Sequence, residues 1–138
     1  MTLNHAPSLE SWTFPPGLGV PPPCGAYSHA TAIGDTLYIT GQLPIEPRTN
    51  DVVGSDVASQ TDQVLANLSR VLELTRSSIS QVVQARAFLL DADDFTAYDT
   101  AFRSWFPSRL PSRTTVAVTG FAIAGCLIEI DLVAIRSR

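Results

Sequence analysis

The spacing of apolar residues predicts a β-hairpin early in the chain and a long helix after it. Residues 27–33 and 36–40 have the composition of strands, and Gly34 and Asp35 between them form a two-residue loop that suits a hairpin. From residue 55 to residue 75 the apolar positions recur every three or four residues, which is the period of a helix with one buried face. Ser55 is the expected N-cap of this helix, with Asp56 in its first turn.

The second half of the chain predicts three more strands and one more helix. Residues 82–90 form a strand in this interpretation, and residues 94–106 form a helix whose aromatic side chains recur at helical spacing until Pro107 ends it. Residues 113–119 and 126–136 are the last two strands. This order indicates a single α+β domain, with a mixed sheet and two helices packed on one of its faces.

The last strand predicts which face of the sheet the helices cover. One side of it is entirely apolar: Cys126, Ile128, Ile130, Leu132 and Ala134. The other side mixes large aliphatic residues with carboxylates: Leu127, Glu129, Asp131, Val133 and Ile135. Because such a mixed face is neither a good core nor a good solvent face, we expect it to meet a partner subunit or to line a wet cleft.

The strand before it is predicted to follow the same rule. Val116 and Val118 would then face the helices, which leaves Arg113 and Thr115 on the mixed side. We therefore expect Arg113, Thr115 and Glu129 to share one surface at a subunit interface.

Six of the ten prolines fall within residues 1–23. Proline lacks the N–H of a sheet ladder and fixes φ, so residues 15–23 cannot form a helix or a central strand. We interpret residues 1–23 as an irregular arm laid over the body through Trp12, Phe14 and Leu18, with a partly disordered tail as the alternative. Residues 24–138 would form the domain itself.

Composition excludes several classes of function. The net charge of −4 argues against a nucleic-acid partner, which would require a basic surface. The nine cationic residues are all arginine, so a Schiff-base lysine and a phosphate-loop lysine are impossible. No apolar run reaches the roughly 20 residues of a membrane span. Two distant cysteines, Cys24 and Cys126, are expected to be free thiols in a reducing cytoplasm, and neither they nor the two histidines have the spacing of a metal site.

Six short stretches in the same order and spacing make the chain resemble the Rid (YjgF) family of reactive intermediate deaminases. They are residues 25–30, 38–44, 60–68, 88–91, 111–116 and 128–130. The resemblance implies a chorismate-mutase-like fold, a homotrimer with clefts between subunits, and hydrolysis of enamine or imine intermediates such as 2-aminoacrylate to a keto acid and ammonia. It implies no cofactor and no metal, and a small substrate that carries a carboxylate.

The resemblance also implies roles for individual residues. Arg113 matches the arginine that holds the substrate carboxylate, and Glu129 matches the carboxylate that positions or activates water. Tyr27 borders the cleft, while Thr40 and Gly41 line it through a hydroxyl and a close backbone approach. The structural alternatives are a salt bridge from Arg113 to Glu129 or Asp131, packing for Tyr27, and a simple turn for Gly41. Gln42 and Asp131 have weaker claims.

Three further positions bear on function. Thr115 stands where many family members have a cysteine, so a reactive thiol is excluded there while a hydrogen-bonding hydroxyl is retained. Asp99 stands where many have asparagine; it would disfavour a second anionic group on the substrate, or it is exposed and idle. His29 is expected on the same face as Tyr27, as a group that titrates near neutrality or, more simply, as a hydrogen bonder at an interface.

Two other functions are compatible with the sequence. One is a pathway-specific relative acting on a larger imine or enamine, and the other is a regulatory trimer that binds a small carboxylate without turnover.

Overall fold

This computed structural model describes residues 8–137, which contain six strands and two α-helices. The strands are β1 Leu9–Trp12, β2 Ala30–Ile33, β3 Thr36–Gln42, β4 Val82–Leu89, β5 Ser112–Ala117 and β6 Ile128–Ile135. The helices are α1 Val57–Leu74 and α2 Phe95–Ser104, and single 3₁₀ turns at Ile79–Gln81 and Ala92–Asp94 precede β4 and α2.

All six strands belong to one mixed sheet in the order β1-β2-β3-β6-β4-β5. The β4–β5 pair is parallel and the other pairs are antiparallel. The parallel pair exists because α2 crosses over between its two strands. The predicted α+β fold is confirmed, and β1 and β5 are the two edges of the sheet.

Both helices pack on one face of the sheet, as predicted. The alternate residues of β6 that were expected to face them are buried: Ile128, Ile130, Leu132 and Ala134. They meet the apolar stripe of α1, whose most buried members include Val64, Leu65, Leu68, Val71 and Leu72. Aromatic residues of α2 and of the segment after it close the other end of the same core, where Phe102 stacks on Phe106 with ring centroids 4.7 Å apart.

The predicted boundaries are shifted by a few residues, for local reasons. The hairpin loop Gly34-Asp35 is confirmed, and Gly34 has a φ of 58°, as a tight hairpin requires. The strand predicted from residue 27 begins at Ala30, so Tyr27 lies in the loop before β2. The N-cap of α1 is Asp56 rather than Ser55, because the Asp56 carboxylate accepts a hydrogen bond from the backbone N–H of Ser59 at 2.8 Å.

The prediction of an irregular arm is wrong for Leu9–Trp12, which pairs with β2 as an edge strand. The remainder follows the expectation within residues 8–23: the proline-rich stretch has no helix or strand, and Phe14 is buried in the core while Trp12 and Leu18 pack against it. Residues 1–7 of the predicted arm lie outside the described residues. The division of the chain at residue 23 stays a prediction.

The orientation predicted for β5 is also wrong. Thr115 pairs with Ala87, which in turn pairs with Ile130, so Thr115 faces the helices. Arg113, two residues away, faces the same way, and Val116 is 45% exposed on the opposite side. Polar side chains can face the helices here because α2 supplies them with polar and aromatic partners.

The other face of the sheet mixes charged and apolar side chains, as the alternation of β6 predicts. Large apolar residues stand half-exposed on it: Ile33, Tyr38, Val116 and Ile135. Among them, Arg86 and Asp131 form a bidentate pair with the nitrogen and oxygen atoms 2.7 and 2.9 Å apart. That this face is a subunit interface stays a prediction.

Candidate functional site

A cavity of about 410 Å³ opens at the end of β3. The proline-rich segment 21–23 and the loop carrying Tyr27 form one wall, and Ala122 and Ile123 approach from the loop before β6. Four residues predicted for the site line this cavity: Tyr27, Thr40, Gly41 and Glu129.

The glycine of this cavity gives Glu129 its position. A β-carbon on Gly41 would lie 3.0 Å from both Cδ and Oε1 of Glu129, a contact tight enough that the carboxylate would have to shift by a few tenths of an ångström. Gly41 lies within β3, at an irregularity in the β3–β6 register between Ile39 and Gln42. The alternative that this glycine only makes a turn is therefore wrong, and its missing side chain lets the carboxylate lie against the strand.

The surroundings of Glu129 favour its protonated form. Burial raises the pKa of the Glu129 carboxyl above its ordinary value, and repulsion from Asp131 raises it further. Asp131 itself is held by Arg86, so its carboxylate is already engaged within the chain. Of the two carboxylates on this face of β6, Glu129 is the one whose environment suits proton exchange.

Tyr27 and Cys24 meet at the rim of the cavity. The Tyr27 hydroxyl accepts the backbone N–H of Cys24 at 3.0 Å and lies 3.3 Å from its sulfur. Burial and the contact with Cys24 raise the pKa of the Tyr27 phenol, which therefore stays protonated. Its ring is 40% exposed, so this tyrosine borders the opening rather than filling the core.

The Thr40 hydroxyl lies beside this group but is committed to the backbone. It donates to the carbonyl oxygen of Ser28 at 2.6 Å, and so ties β3 to the loop that carries Tyr27. Gln42 is buried below it and also lines the cavity.

His29 is buried beneath the cavity and fastens the arm. Its Nδ1 accepts the backbone N–H of Phe14 at 3.0 Å, and its Nε2 donates to the carbonyl oxygen of Pro21 at 2.8 Å. The alternation from Tyr27 does not apply, because Tyr27 lies outside the strand. The prediction that His29 is a hydrogen bonder is right, but its partners are within its own chain.

Two buried polar residues of α1 that hydrogen-bond to neighbouring loops were not predicted. Gln60 is fully buried; its amide donates to the carbonyl of Gly125 at 2.9 Å and accepts the N–H of Leu127 at 2.7 Å. Asn67 donates in the same way to the carbonyl of Ile45 at 2.9 Å. Both stand seven residues apart on the apolar stripe of α1, and a polar residue on such a stripe is the signal that would have found them.

Arg113 lies at a different place, on the helix side of the sheet edge. Its Nη2 donates to Oδ1 of Asp99 on α2 at 2.7 Å. The guanidinium carbon lies 4.8 Å from the ring centroid of Tyr98 and 4.7 Å from that of Phe102. A second cavity, of about 270 Å³, opens beside the ion pair.

Thr115 lies next to this arginine and is bonded to a buried tyrosine. Its Oγ1 is 2.7 Å from the hydroxyl of Tyr98, whose pKa is raised by burial. The expected common surface of Arg113, Thr115 and Glu129 is therefore wrong within one chain, because the first two face the helices and Glu129 faces away. A salt bridge from Arg113 to Glu129 or Asp131 is equally wrong, since Asp99 is its partner.

The described residues that were predicted for the site thus lie in two separate places, one with a carboxyl group suited to proton exchange and one with a guanidinium. Within residues 8–137, no group of three or more histidine, cysteine, aspartate or glutamate side chains is placed to hold a metal ion. Neither described helix has the length and hydrophobicity needed to cross a membrane.

Comparison with known proteins gives a consistent result. The family model described as Endoribonuclease L-PSP matches residues 19–136. A RutC family protein of Sulfurisphaera tokodaii is 39% identical over 113 residues, which are 82% of this chain and 90% of the relative. A 2-iminobutanoate/2-iminopropanoate deaminase of Dermatophagoides farinae is 34% identical over 98 residues, 71% of this chain and 77% of that protein. The crystal structure of RidA from an Antarctic Psychrobacter superposes with a TM-score of 0.81 at 29% identity, covering 86% of this chain and 94% of that one.

Proposed function

The chain belongs to the Rid (YjgF, endoribonuclease L-PSP) family, and from that membership and its cavity we propose that it hydrolyses reactive enamine and imine intermediates of the 2-aminoacrylate type to a keto acid and ammonia. The observation that carries the proposal is the Glu129 carboxyl, held against Gly41 in a cavity and raised in pKa by burial.

The reaction needs a proton donor and acceptor at one place. Protonation of the enamine β-carbon gives the 2-iminium acid, and water then adds to the C=N carbon while losing a proton. The carbinolamine nitrogen then gains a proton and its hydroxyl loses one as the C–N bond breaks, which leaves a keto acid and ammonia. Every step gives or takes a proton, so a carboxyl group that can do both can serve throughout.

Glu129 has the surroundings for that role. A carboxyl group with an ordinary pKa is almost entirely ionised at neutral pH and has no proton to give, whereas the raised pKa of Glu129 increases the population of its protonated form. Tyr27, with its protonated hydroxyl, stands at the mouth of the same cavity and provides a hydrogen bond to a substrate or to water.

The carboxylate of the substrate requires a cation, and none of the described residues that line this cavity is an arginine. Arg113 is the residue expected to bind it, but Arg113 belongs to the edge strand β5 and faces the other side of the sheet. A homotrimer would bring Arg113 and Glu129 together if the β5 edge of one subunit met the cavity of the next. The half-exposed apolar side chains on the outer face support such an assembly.

The test is turnover of 2-aminoacrylate released in the assay by a lyase acting on serine. Pyruvate and ammonia should form faster with the protein than by spontaneous hydrolysis, and Glu129→Gln should lower kcat/KM by about 10²-fold with its fold and oligomeric mass unchanged.

A matched control is Glu73→Gln, which removes the same charge from the exposed side of α1, where Glu73 pairs with Arg70. It should leave the rate unchanged. Absence of turnover on several enamines, together with binding of small carboxylates, would reject the deaminase and support a regulatory trimer.

A further inference from the structure

The residue expected to bind the substrate carboxylate already forms an ion pair within the chain. Arg113 is the residue to which the substrate carboxylate should bind, yet Asp99 lies 2.7 Å from its guanidinium. The ion pair remains accessible, since the two side chains retain 18% and 33% of their exposure and line a cavity of about 270 Å³. A ligand entering this cavity therefore meets both charges.

Charges of both signs line the cavity. Asp99 and Arg103 are four residues apart on α2 and line the same opening as Arg113, so a ligand there meets one carboxylate and two guanidinium groups. Phe95, Tyr98 and Phe102 surround the Arg113 guanidinium, with ring centroids 5.6, 4.8 and 4.7 Å away, and fix its position. The aromatic rings thus hold the cation in place whether or not Asp99 is charged.

We propose that Asp99 makes this site selective for zwitterionic ligands, in which a protonated nitrogen stands next to a carboxylate. The ligand carboxylate binds the arginine side, and its cationic nitrogen donates to the Asp99 oxygens. A 2-iminium acid and a 2-amino acid have this pattern of charges. A 2-keto acid has the carboxylate alone and meets Asp99 as a like charge.

This inference rests on the proposed function, because it assigns to the same enzyme a preference for its charged substrate over its keto acid product. Discrimination against the product has a plain physical origin. Replacing the nitrogen by a carbonyl oxygen removes a charge-assisted hydrogen bond and leaves two anionic groups side by side.

L-alanine and pyruvate provide a matched pair of stable probes, since they share a carbon skeleton and differ in the nitrogen. Their Kd values are measured by calorimetry on the full chain in low salt, for the parent protein and for Asp99→Asn. The amide keeps the shape and still accepts from Arg113, so the fold is preserved. Asp93→Asn, which removes an exposed carboxylate just before α2, is the control for net charge.

The parent protein should bind alanine more tightly than pyruvate. Asp99→Asn should shift the ratio of the two Kd values by at least tenfold toward pyruvate, which is about 1.4 kcal/mol, while Asp93→Asn leaves the ratio unchanged. A ratio that Asp99→Asn alters by less than twofold, or binding of neither probe to either protein, would overturn the inference.

Turnover separates this result from the proposed function. Hydrolysis of 2-aminoacrylate with an unaltered binding ratio would reject the charge selectivity alone. A shifted ratio without turnover would reject the deaminase and keep the selectivity.

Discussion

The contact between Gly41 and Glu129 gives the sharpest prediction from the geometry. In Gly41→Ala the new methyl group would begin 3.0 Å from Cδ and Oε1 of Glu129. Atoms in favourable contact stand about 3.5–4.0 Å apart, so the carboxylate must move by a few tenths of an ångström. Since a displacement of about 1 Å at a reacting group can cost about 10²-fold, kcat/KM should fall about tenfold.

The fold should survive this substitution with a modest loss of stability. The Glu129 side chain is flexible and Gly41 has a backbone conformation open to other residues, so overpacking of about 1–3 kcal/mol is partly offset by about 0.4–1 kcal/mol from the reduced entropy of the unfolded chain. Gly120→Ala is the control, because a β-carbon there meets nothing within 4 Å. Urea unfolding and steady-state kinetics on both variants supply the comparison.

A double variant shows whether the glycine acts through the carboxylate. In a Glu129→Gln background the same methyl group displaces a side chain that no longer transfers protons, so Gly41→Ala should change the residual rate by less than about twofold. A tenfold loss that persists in that background, or a parental rate in the single variant, would refute the argument from close approach.

Three further predictions follow from other contacts. Burial raises the pKa of Glu129, so this group contributes stability at low pH that is lost as the pH rises through its folded pKa. In urea unfolding from pH 4 upward, the free energy of unfolding of Glu129→Gln should therefore rise relative to that of the parent protein. A difference that does not change with pH would contradict the burial effect. His29→Ala should lower the free energy of unfolding by about 2–4 kcal/mol, since it removes two buried hydrogen bonds to the arm; a loss under 1 kcal/mol in urea would contradict that role. Thr115→Val should lower the free energy of unfolding by about 1–2 kcal/mol, and a double-mutant cycle with Tyr98→Phe should give a stabilising coupling energy between the two hydroxyls. Additive effects would show that the two hydroxyls do not interact.

The sequence predicted those features that rest on long periodic patterns. Alternation over the whole of β6 identified the buried face, and the helical period of α1 identified its extent to within two residues. Short or partly polar segments failed. Arg113 and Thr115 of β5 face α2, where Asp99 and Tyr98 are their hydrogen-bond partners. Alternation along β5 alone cannot reveal partners on another element. β1 has only four residues and is separated from its partner β2 by the proline-rich segment, so local pattern could not show it.

The candidate site was predicted in part for the same reason. Family motifs named residues that the structure gathers around one cavity, Tyr27, Thr40, Gly41 and Glu129. They also named Arg113, which the topology of the sheet places on the other face. Motif spacing records which residues matter together, but it does not record whether one chain or two bring them into contact.

Subunit mixing tests directly whether Arg113 of one subunit and Glu129 of its neighbour form one site. Arg113→Ala and Glu129→Gln chains, each inactive alone, are co-expressed in equal amounts and the mixed assemblies are verified by native mass spectrometry. If one subunit supplies the arginine and its neighbour the carboxylate, about one site in four combines two intact residues, so about a quarter of the parental activity should return. Mixed trimers with no more activity than either variant alone would contradict a site built between subunits.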